Sequence, residues 1–136
     1  MKLLMIYCER FAYTLGHRSL DDAPPCEPQN EIGDALVGFI HAEAADEENA
    51  GKVETKLVKN LKWAARKNGT ERIVLHSFSH LAATKAPPEF AEELFDRVRK
   101  RLEGAGYHIG QTPFGYFLNL DLSAPGVPAA RIFTEF

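Results

Sequence analysis

Two short stretches of the sequence hold the residue types that could carry out chemistry. The first, HSFSH, places His76 and His80 four residues apart where a strand-like run ends. Side chains at positions i and i+4 of a strand point the same way, so a shared metal ion is one interpretation. A third ligand at suitable spacing is missing, and a histidine at such a corner more often packs, forms hydrogen bonds or orients a substrate. We therefore predict no metal and no cofactor.

The second stretch, QTPFGYFLNL, places a proline and a glycine among aromatic rings without a charged residue. In a structural interpretation Pro113 starts an edge strand, Gly115 forms a bulge and the rings fill the core. In a functional one Gly115 lets a ligand approach the backbone while an aromatic ring forms a stacking wall. A period of two puts Phe114 and Tyr116 on one face and Phe117 on the other. Only one set then lines a pocket, unless the strand is bulged.

Other catalytic motifs are absent from the chain. It has no glycine-rich phosphate loop, no G-x-S-x-G elbow, no zinc signature and no close carboxylate pair framed by apolar residues. The acidic run Asp46-Glu47-Glu48 precedes a predicted helix, and we interpret it as first-turn charge that complements the helix dipole. The residues alone thus predict an α/β domain with an aromatic pocket.

Composition narrows the class of protein further. With 136 residues, 45% of them hydrophobic and 26% charged, the chain has the profile of one soluble globular domain, residues 1–136. A net charge of −3 argues against gripping long nucleic acid by its phosphates, yet allows binding of one or two terminal nucleotides. Cys8 and Cys26 form neither a disulfide framework nor a metal pair, so we expect a cytoplasmic protein. The apolar start ends at Glu9-Arg10 and no membrane-length run follows, so we expect a soluble one.

The elements that must position these stretches follow from periodicity. Apolar runs predict strands, and apolar residues at spacings of three and four predict two amphipathic helices. The segment 21–34, rich in proline and polar residues, predicts a loop. The order predicts an α/β fold, a mixed β-sheet with two amphipathic helices packed on one face. The predicted strands are 2–8, 35–42, 72–78, 107–109, 113–122 and 129–134, and the predicted helices are 49–68 and 87–104.

Five pieces of the sequence occur in an order and at spacings that match a known family. They are MKLLMIYCERFAY, LVGFIHAEAADEEN, HSFSHLA, GYHIGQTPFGYF and the turn Gly126-Val-Pro128. Through them the chain resembles, over essentially its whole length, the N-terminal editing domain of archaeal-type threonyl-tRNA synthetases. The resemblance implies a hydrolase that removes serine wrongly attached to threonine tRNA, on a fold shared with D-aminoacyl-tRNA deacylases and paired as a homodimer. Its partners would be the 3′ end of the tRNA and the catalytic and anticodon-binding regions of a synthetase, in cis or in trans.

The resemblance also assigns site residues. His80 falls where the family has its pocket histidine, Ser79 falls on the pocket floor, and Ala42 falls on another small pocket position. The segment that holds the terminal adenosine and the seryl group corresponds to Phe114, Gly115, Tyr116 and Phe117.

Two positions depart from the family pattern. Relatives have a lysine where this chain has Leu118, and a glutamate in the last strand where this chain has Arg131. Both positions count among the substrate-binding candidates, but neither side chain can do the acid–base work of its counterpart. We therefore expect the free 2′-OH of the terminal ribose to activate the water, with the backbone of Ser79-His80 and Phe114-Gly115 supporting the oxyanion. His80 would position the ester.

Two alternatives stay open. One is a freestanding D-aminoacyl-tRNA deacylase, although the S-Q-x-T and N-x-P-x-T strings associated with those enzymes are absent. The other is a non-catalytic tRNA-binding appendage, which the missing lysine and glutamate favour. The chain stops at a predicted strand without a linker, which suggests a piece of a longer synthetase, but the sequence leaves open whether it is a complete protein or the first piece of one.

Overall fold

The computed structural model describes all 136 residues and contains six strands and two α-helices. Short 3₁₀ turns at Ala44–Asn49 and Pro128–Ala130 lead into α1 and β6. The strands are β1 (Lys2–Arg18), β2 (Gln29–His41), β3 (Arg72–Ser77), β4 (His108–Gln111), β5 (Tyr116–Ser123) and β6 (Arg131–Glu135), and the helices are α1 (Ala50–Lys67) and α2 (Pro88–Gly104).

All six strands join one mixed sheet, in the order β4-β3-β2-β1-β5 with β6 also paired to β1. The β2–β3 and β3–β4 pairs are parallel, and the other pairs are antiparallel. Along one edge of β1, the first half pairs with β6 and the second half pairs with β5. The predicted α/β fold with a mixed sheet and two helices is confirmed.

Both helices pack on the sheet through apolar stripes. The buried side chains of α1 and α2 recur at spacings of three and four, as predicted, and join a core cluster of 19 buried residues. Asn68 follows the last residue of α1, and Gly69 then takes a left-handed conformation with φ of 67°. Pro88 opens α2, where a proline loses no helical hydrogen bond. These buried residues are Val53, Leu57, Val58, Leu61, Ala64 and Ala65 in α1 and Leu94, Phe95, Val98 and Leu102 in α2.

A second, smaller cluster forms where no helix covers the sheet. Alternation along β2 sends Leu36 and Ile40 to the helix-covered core, and Val37 and Phe39 to the smaller cluster. Half-buried side chains from β5 border this cluster. Its buried members are Cys8, Phe11, Tyr13, Ala35, Val37, Phe39 and Val74.

Two strand boundaries were predicted wrongly. The first strand was expected to end at residue 8, but it continues to Arg18, and the predicted loop 21–34 is already strand from Gln29. The reason is long-range pairing: β1 and β2 remain paired out to Thr14 and Gln29, and β5 lies along the other edge of β1. Ladder hydrogen bonds thus extend a strand through residues whose polarity resembles that of a loop.

The acidic run was also misinterpreted. Asp46 is buried in the 3₁₀ turn and does not belong to the first turn of α1. Its carboxylate accepts hydrogen bonds from the Met1 amino group at 3.0 Å and from the Glu43 N–H at 2.8 Å. Glu43 accepts from the same amino group at 2.7 Å, which lowers the pKa of Glu43. A close carboxylate pair therefore exists, although the sequence analysis found none.

Candidate functional site

The two stretches singled out in the sequence meet at one cavity of about 200 Å³. Its walls come from the ends of β2 and β3, the first turns of α2, the segment before β5 and the residues after β1. Larger depressions of about 490 Å³ and 310 Å³ lie elsewhere, but polar residues form most of their lining. The cavity is lined by Ser19, Leu20, Ile40, Ala42, Ser77, Ser79, His80, Lys85, Ala86, Pro88, Ala91, Phe95, Pro113, Phe114, Gly115, Tyr116 and Phe117.

The aromatic segment lines the cavity through a turn. Residues 113–115 precede β5, and Gly115 has a φ of 86°, a conformation that L side chains rarely adopt. A Cβ at Gly115 would lie 2.6 Å from the Cβ of Ala23. Because the chain turns here, Phe114, Tyr116 and Phe117 all border the same cavity. The period of two therefore does not hold here, since residues 113–115 form a turn and the β1–β5 register is irregular at Tyr116, the kind of exception that the sequence analysis allowed.

The same turn holds the loop between β1 and β2. The Gly115 carbonyl accepts hydrogen bonds from the N–H groups of Ser19 at 2.8 Å and Leu20 at 3.3 Å. The Tyr116 hydroxyl donates to the Pro24 carbonyl at 2.8 Å. Gly115 therefore stabilises the cavity wall in two ways: its positive φ permits the turn, and its carbonyl binds the loop after β1.

His80 lies exposed at the mouth of the cavity, and Ser79 beside it is also exposed. The His80 ring contacts Phe78, with centroids 4.8 Å apart, and lies 6.2 Å from the ring of Phe117. No protein group forms a hydrogen bond with the His80 imidazole, so both ring nitrogens are free for a ligand or water.

His76 occupies the opposite environment. It is buried against Phe39, with ring centroids 5.1 Å apart, and its Nδ1 lies 2.9 Å from the Thr112 hydroxyl. Burial, with a smaller contribution from His80, lowers the pKa of His76 to about 4, so the ring is neutral at pH 7. The structure has no group of three or more His, Cys, Asp or Glu side chains that could hold a metal ion.

Four backbone donors beside the cavity have no partner within the protein. The N–H groups of Ser79, His80, Phe114 and Gly115 make no hydrogen bond to any backbone or side-chain acceptor. All four belong to residues that line the cavity and lie within turns. Unpaired N–H groups around a cavity can stabilise negative charge that develops on an oxygen there.

Two of the predicted site residues do not reach the cavity. Leu118 is half-buried and packs against the smaller cluster, one position beyond the lining segment. Arg131 is exposed at the start of β6, where its guanidinium donates to the Pro125 carbonyl at 2.7 Å. The other seven, His80, Ser79, Ala42, Phe114, Gly115, Tyr116 and Phe117, come together.

Several lining residues were missed in the sequence. Ile40, Ala86 and Phe95 read as ordinary core residues, and Lys85 reads as an ordinary surface charge. The spacing of Pro88, Ala91 and Phe95 along one face of α2 was the only available signal.

The whole chain, residues 1–136, matches the family described as the archaea-specific editing domain of threonyl-tRNA synthetase. The chain belongs to this family. The predicted resemblance is thereby confirmed, and the protein is an editing domain, a hydrolase of the deacylase kind. No helix of this editing domain has the length and apolar character to cross a membrane.

Curated relatives agree with the assignment. The chain is 30% identical over 135 residues to a threonine–tRNA ligase of Thermococcus kodakarensis, covering 97% of this chain and 22% of that protein. It is 28% identical to the Pyrococcus furiosus ligase and 29% identical to the Methanopyrus kandleri ligase over similar spans. The editing domain therefore spans about a fifth of the length of these relatives.

Among solved structures, the c-Myc DNA unwinding element binding protein is similar, with a TM-score of 0.70 and 16% identity. The match covers 100% of this chain and 99% of that chain. At this identity the likeness concerns the fold alone, and it confirms the predicted D-aminoacyl-tRNA deacylase-like fold class.

Proposed function

We propose that the editing domain hydrolyses L-serine from mischarged threonine tRNA, with the 2′-OH of the terminal ribose assisting the attacking water. The observation that carries the proposal is the small cavity lined by four residues whose backbone N–H groups have no partner within the protein. Its lining includes no carboxylate, and the two lining side chains that can take up a proton, His80 and Lys85, are both exposed. Backbone donors are thus available for an oxyanion, whereas no protonatable side chain is buried inside the cavity.

Editing is needed because the synthetic site cannot fully discriminate serine from threonine. Serine is threonine without a methyl group, and one methyl group in a pocket is worth only about 1–3 kcal/mol. A synthetic site therefore charges some serine, and a second site is needed that destroys the error.

The size of the cavity fits a small aminoacyl group. At about 200 Å³ it lies below the usual range of ligand pockets, roughly 300–1,000 Å³. A seryl group with its attacking water would fill it, and the terminal adenosine would lie at the mouth against Phe117, whose side chain is 51% exposed. We expect the extra methyl of threonine to displace the water or misorient the ester.

In the proposed reaction the water oxygen bonds to the ester carbonyl carbon. The free 2′-OH orients this water and relays its proton to the leaving 3′-oxygen, and the bond between the carbonyl carbon and that oxygen breaks. The products are serine and the tRNA with a free 3′-OH. The N–H groups of Ser79, His80, Phe114 and Gly115 stabilise the oxyanion, and His80 positions the ester. Leu118 and Arg131 lie outside the cavity and take no part in this step.

The partner of the domain is the 3′ end of aminoacylated threonine tRNA, presented with the remaining regions of a threonyl-tRNA synthetase in cis or in trans. We also propose a homodimer, on the family resemblance alone. Sedimentation equilibrium of the domain measures this directly, and a monomer at high micromolar concentration would contradict it.

Single-turnover hydrolysis of two substrates tests the proposed mechanism. One is seryl-tRNA with an intact terminal ribose, and the other carries 2′-deoxyadenosine at that position. We expect the deoxy substrate to react about 10²–10⁴-fold more slowly, the usual contribution of acid–base assistance. The variant His80→Ala should lose only about tenfold.

Matched substrates separate the alternatives. Threonyl-tRNA should be spared, and L-seryl-tRNA should react faster than D-seryl-tRNA. Similar rates on the ribose and deoxy substrates would overturn the assistance by the 2′-OH. No rate above the uncatalysed background would favour a binding appendage, and a preference for the D form would favour a D-aminoacyl-tRNA deacylase.

A further inference from the structure

His41 is fully buried. It belongs to neither hydrophobic cluster and takes no part in the proposed reaction. It is the last residue of β2, between Ile40 and Ala42, which both line the cavity. Its ring is not part of the lining. Burying an imidazole costs free energy unless both nitrogens find partners, so the partners of His41 reveal what it does.

Both nitrogens of His41 bind the loop that carries His80. The Leu81 N–H donates to Nδ1 at 2.9 Å, and Nε2 lies 2.7 Å from the Thr84 carbonyl oxygen. Because Nδ1 accepts, the proton of the neutral ring must be on Nε2, which donates to Thr84. The imidazole is thus a bridge across residues 81–84, and only this neutral tautomer makes both bonds.

The loop depends on this bridge. Its two ends are tied to β2, with the Phe78 N–H donating to the Ile40 carbonyl at 2.9 Å and the Ala86 N–H donating to the Ala42 carbonyl at 2.9 Å. Between these ends, residues 79–85 make no hydrogen bond within the protein except the two to His41. A single buried side chain therefore sets the path of the segment that presents the free N–H groups of Ser79 and His80.

We propose that His41 is a positioning residue for ester hydrolysis, holding residues 79–85 so that the Ser79 and His80 N–H groups and the His80 ring face the reacting ester. The proposal rests on the proposed deacylase function. His41 does not touch the substrate, so its loss should affect the reaction step more than binding. A leucine of similar size could fill the space, but it could make neither bond.

Three variants dissect the bridge. His41→Leu removes both hydrogen bonds. His41→Asn places an amide oxygen near the position of Nδ1 and retains an acceptor for the Leu81 N–H, whereas His41→Gln places an amide N–H near the position of Nε2 and retains a donor to the Thr84 carbonyl. The readouts are kcat and KM for seryl-tRNA, hydrogen exchange of the Leu81 amide, and the ¹⁵N shifts of the His41 ring.

We expect His41→Leu to lower kcat by on the order of 10–100-fold, the cost of a small misplacement, with KM changed less than threefold. The Leu81 amide should lose its protection while amides of β3 keep theirs. His41→Asn should restore that protection and recover most of kcat, and His41→Gln should recover less. The ring of the unmutated protein should show the shifts of an Nε2–H tautomer.

A control variant separates positioning from general destabilisation. Leu102→Ala removes a buried side chain near the far end of α2, and it should lower the melting temperature as much as His41→Leu does without lowering kcat. Overturning results are a His41→Leu kcat within threefold of the unmutated protein, or a kcat loss that Leu102→Ala reproduces.

The exchange and tautomer readouts need no substrate. If the unmutated protein hydrolyses no ester, the proposed function fails and the positioning role fails with it. Hydrogen exchange of the Leu81 amide still tests the hydrogen-bond bridge in that case. An active unmutated protein with an unprotected Leu81 amide would instead overturn the bridge and the positioning role, and it would leave the proposed function standing.

Discussion

His76 and His80 are four residues apart in the chain, yet they occupy opposite environments. His76 is buried, neutral and bound to the Thr112 hydroxyl, whereas His80 is exposed at the cavity mouth with both ring nitrogens free. The strand ends at Ser77, so the two rings lose the common direction that the spacing predicted. The difference distinguishes a structural histidine, His76, which stabilises the cavity wall, from His80, which is available to contact a ligand.

His41 falls on the same side of this comparison as His76. One buried histidine binds the loop 79–85, and the other binds Thr112, directly before the turn at Pro113. The two segments with unpaired N–H groups are thus each held by a buried imidazole. Buried residues that hold the wall, such as His41 and His76, are called the support here, and exposed groups such as His80 are called the mouth. A rigid support and a free mouth are expected of a preorganised oxyanion site.

Four substitutions test this division between support and mouth.

The largest effect is expected from Gly115→Ala, which alters the support. The new Cβ would lie 2.6 Å from the Ala23 Cβ in a backbone with φ of 86°. Left-handed strain and overpacking together predict a loss of about 2–5 kcal/mol in the free energy of unfolding. Urea denaturation measures it, and deacylation should fall more than about 100-fold because the N–H donors move. Gly126→Ala, where a Cβ meets open space, is the control; equal stability of the two variants would contradict the prediction.

The second prediction concerns acid stability and His76. Its pKa is about 4 in the folded protein and about 6.5 when unfolded, so the unfolded state binds the proton first as the pH falls. The stabilisation is present above pH 6.5 and is lost progressively down to about pH 4, by about 3 kcal/mol in total. Denaturation at several pH values measures this slope, which His76→Gln should reduce strongly and His80→Ala only slightly, because burial lowers the pKa of His76 more than His80 does. Equal slopes for the His76 variant and the unmutated protein would show that His76 is not held neutral.

The third prediction concerns the mouth. Because the His80 ring is exposed and makes no hydrogen bond, His80→Ala should change the free energy of unfolding by less than about 0.5 kcal/mol. Seryl-tRNA hydrolysis should fall about tenfold, a loss of orientation rather than of acid–base chemistry. Parallel denaturation and single-turnover assays measure both quantities. A loss of stability comparable to that of the His41 or His76 variants would remove the distinction between support and mouth.

The smallest effect on rate is expected from Leu118→Lys, which restores the residue type that relatives have. Leu118 packs against the smaller cluster outside the cavity lining, so we expect the single-turnover rate to stay within threefold. The free energy of unfolding should fall by about 1 kcal/mol, because a half-buried apolar side chain is lost. Leu120→Lys, at a more exposed position of the same strand, is the matched control. A tenfold gain in rate would show that a lysine here reaches the ester.

Local patterns predicted the elements and part of the site. The stripes of α1 and α2, the proline that opens α2, and the glycine among aromatic rings could all be recognised, because each depends on residues within one or two turns. Of the residues that the sequence resemblance assigned to the site, seven line the cavity, from Ala42 to Phe117. The resemblance also brought in Leu118 and Arg131, which the fold directs elsewhere.

The sequence by itself determined the family, the class of fold and the unusual backbone at Gly115, since these depend on local spacing and residue type. Only the tertiary structure decided the length of β1, the burial of Asp46 and the opposite environments of His76 and His80. It alone also connected His41 to Leu81 and Thr84, residues separated by 40 and 43 positions. Hydrogen bonds over such separations depend on how parallel β2 and β3 align their ends, and no local pattern encodes that alignment.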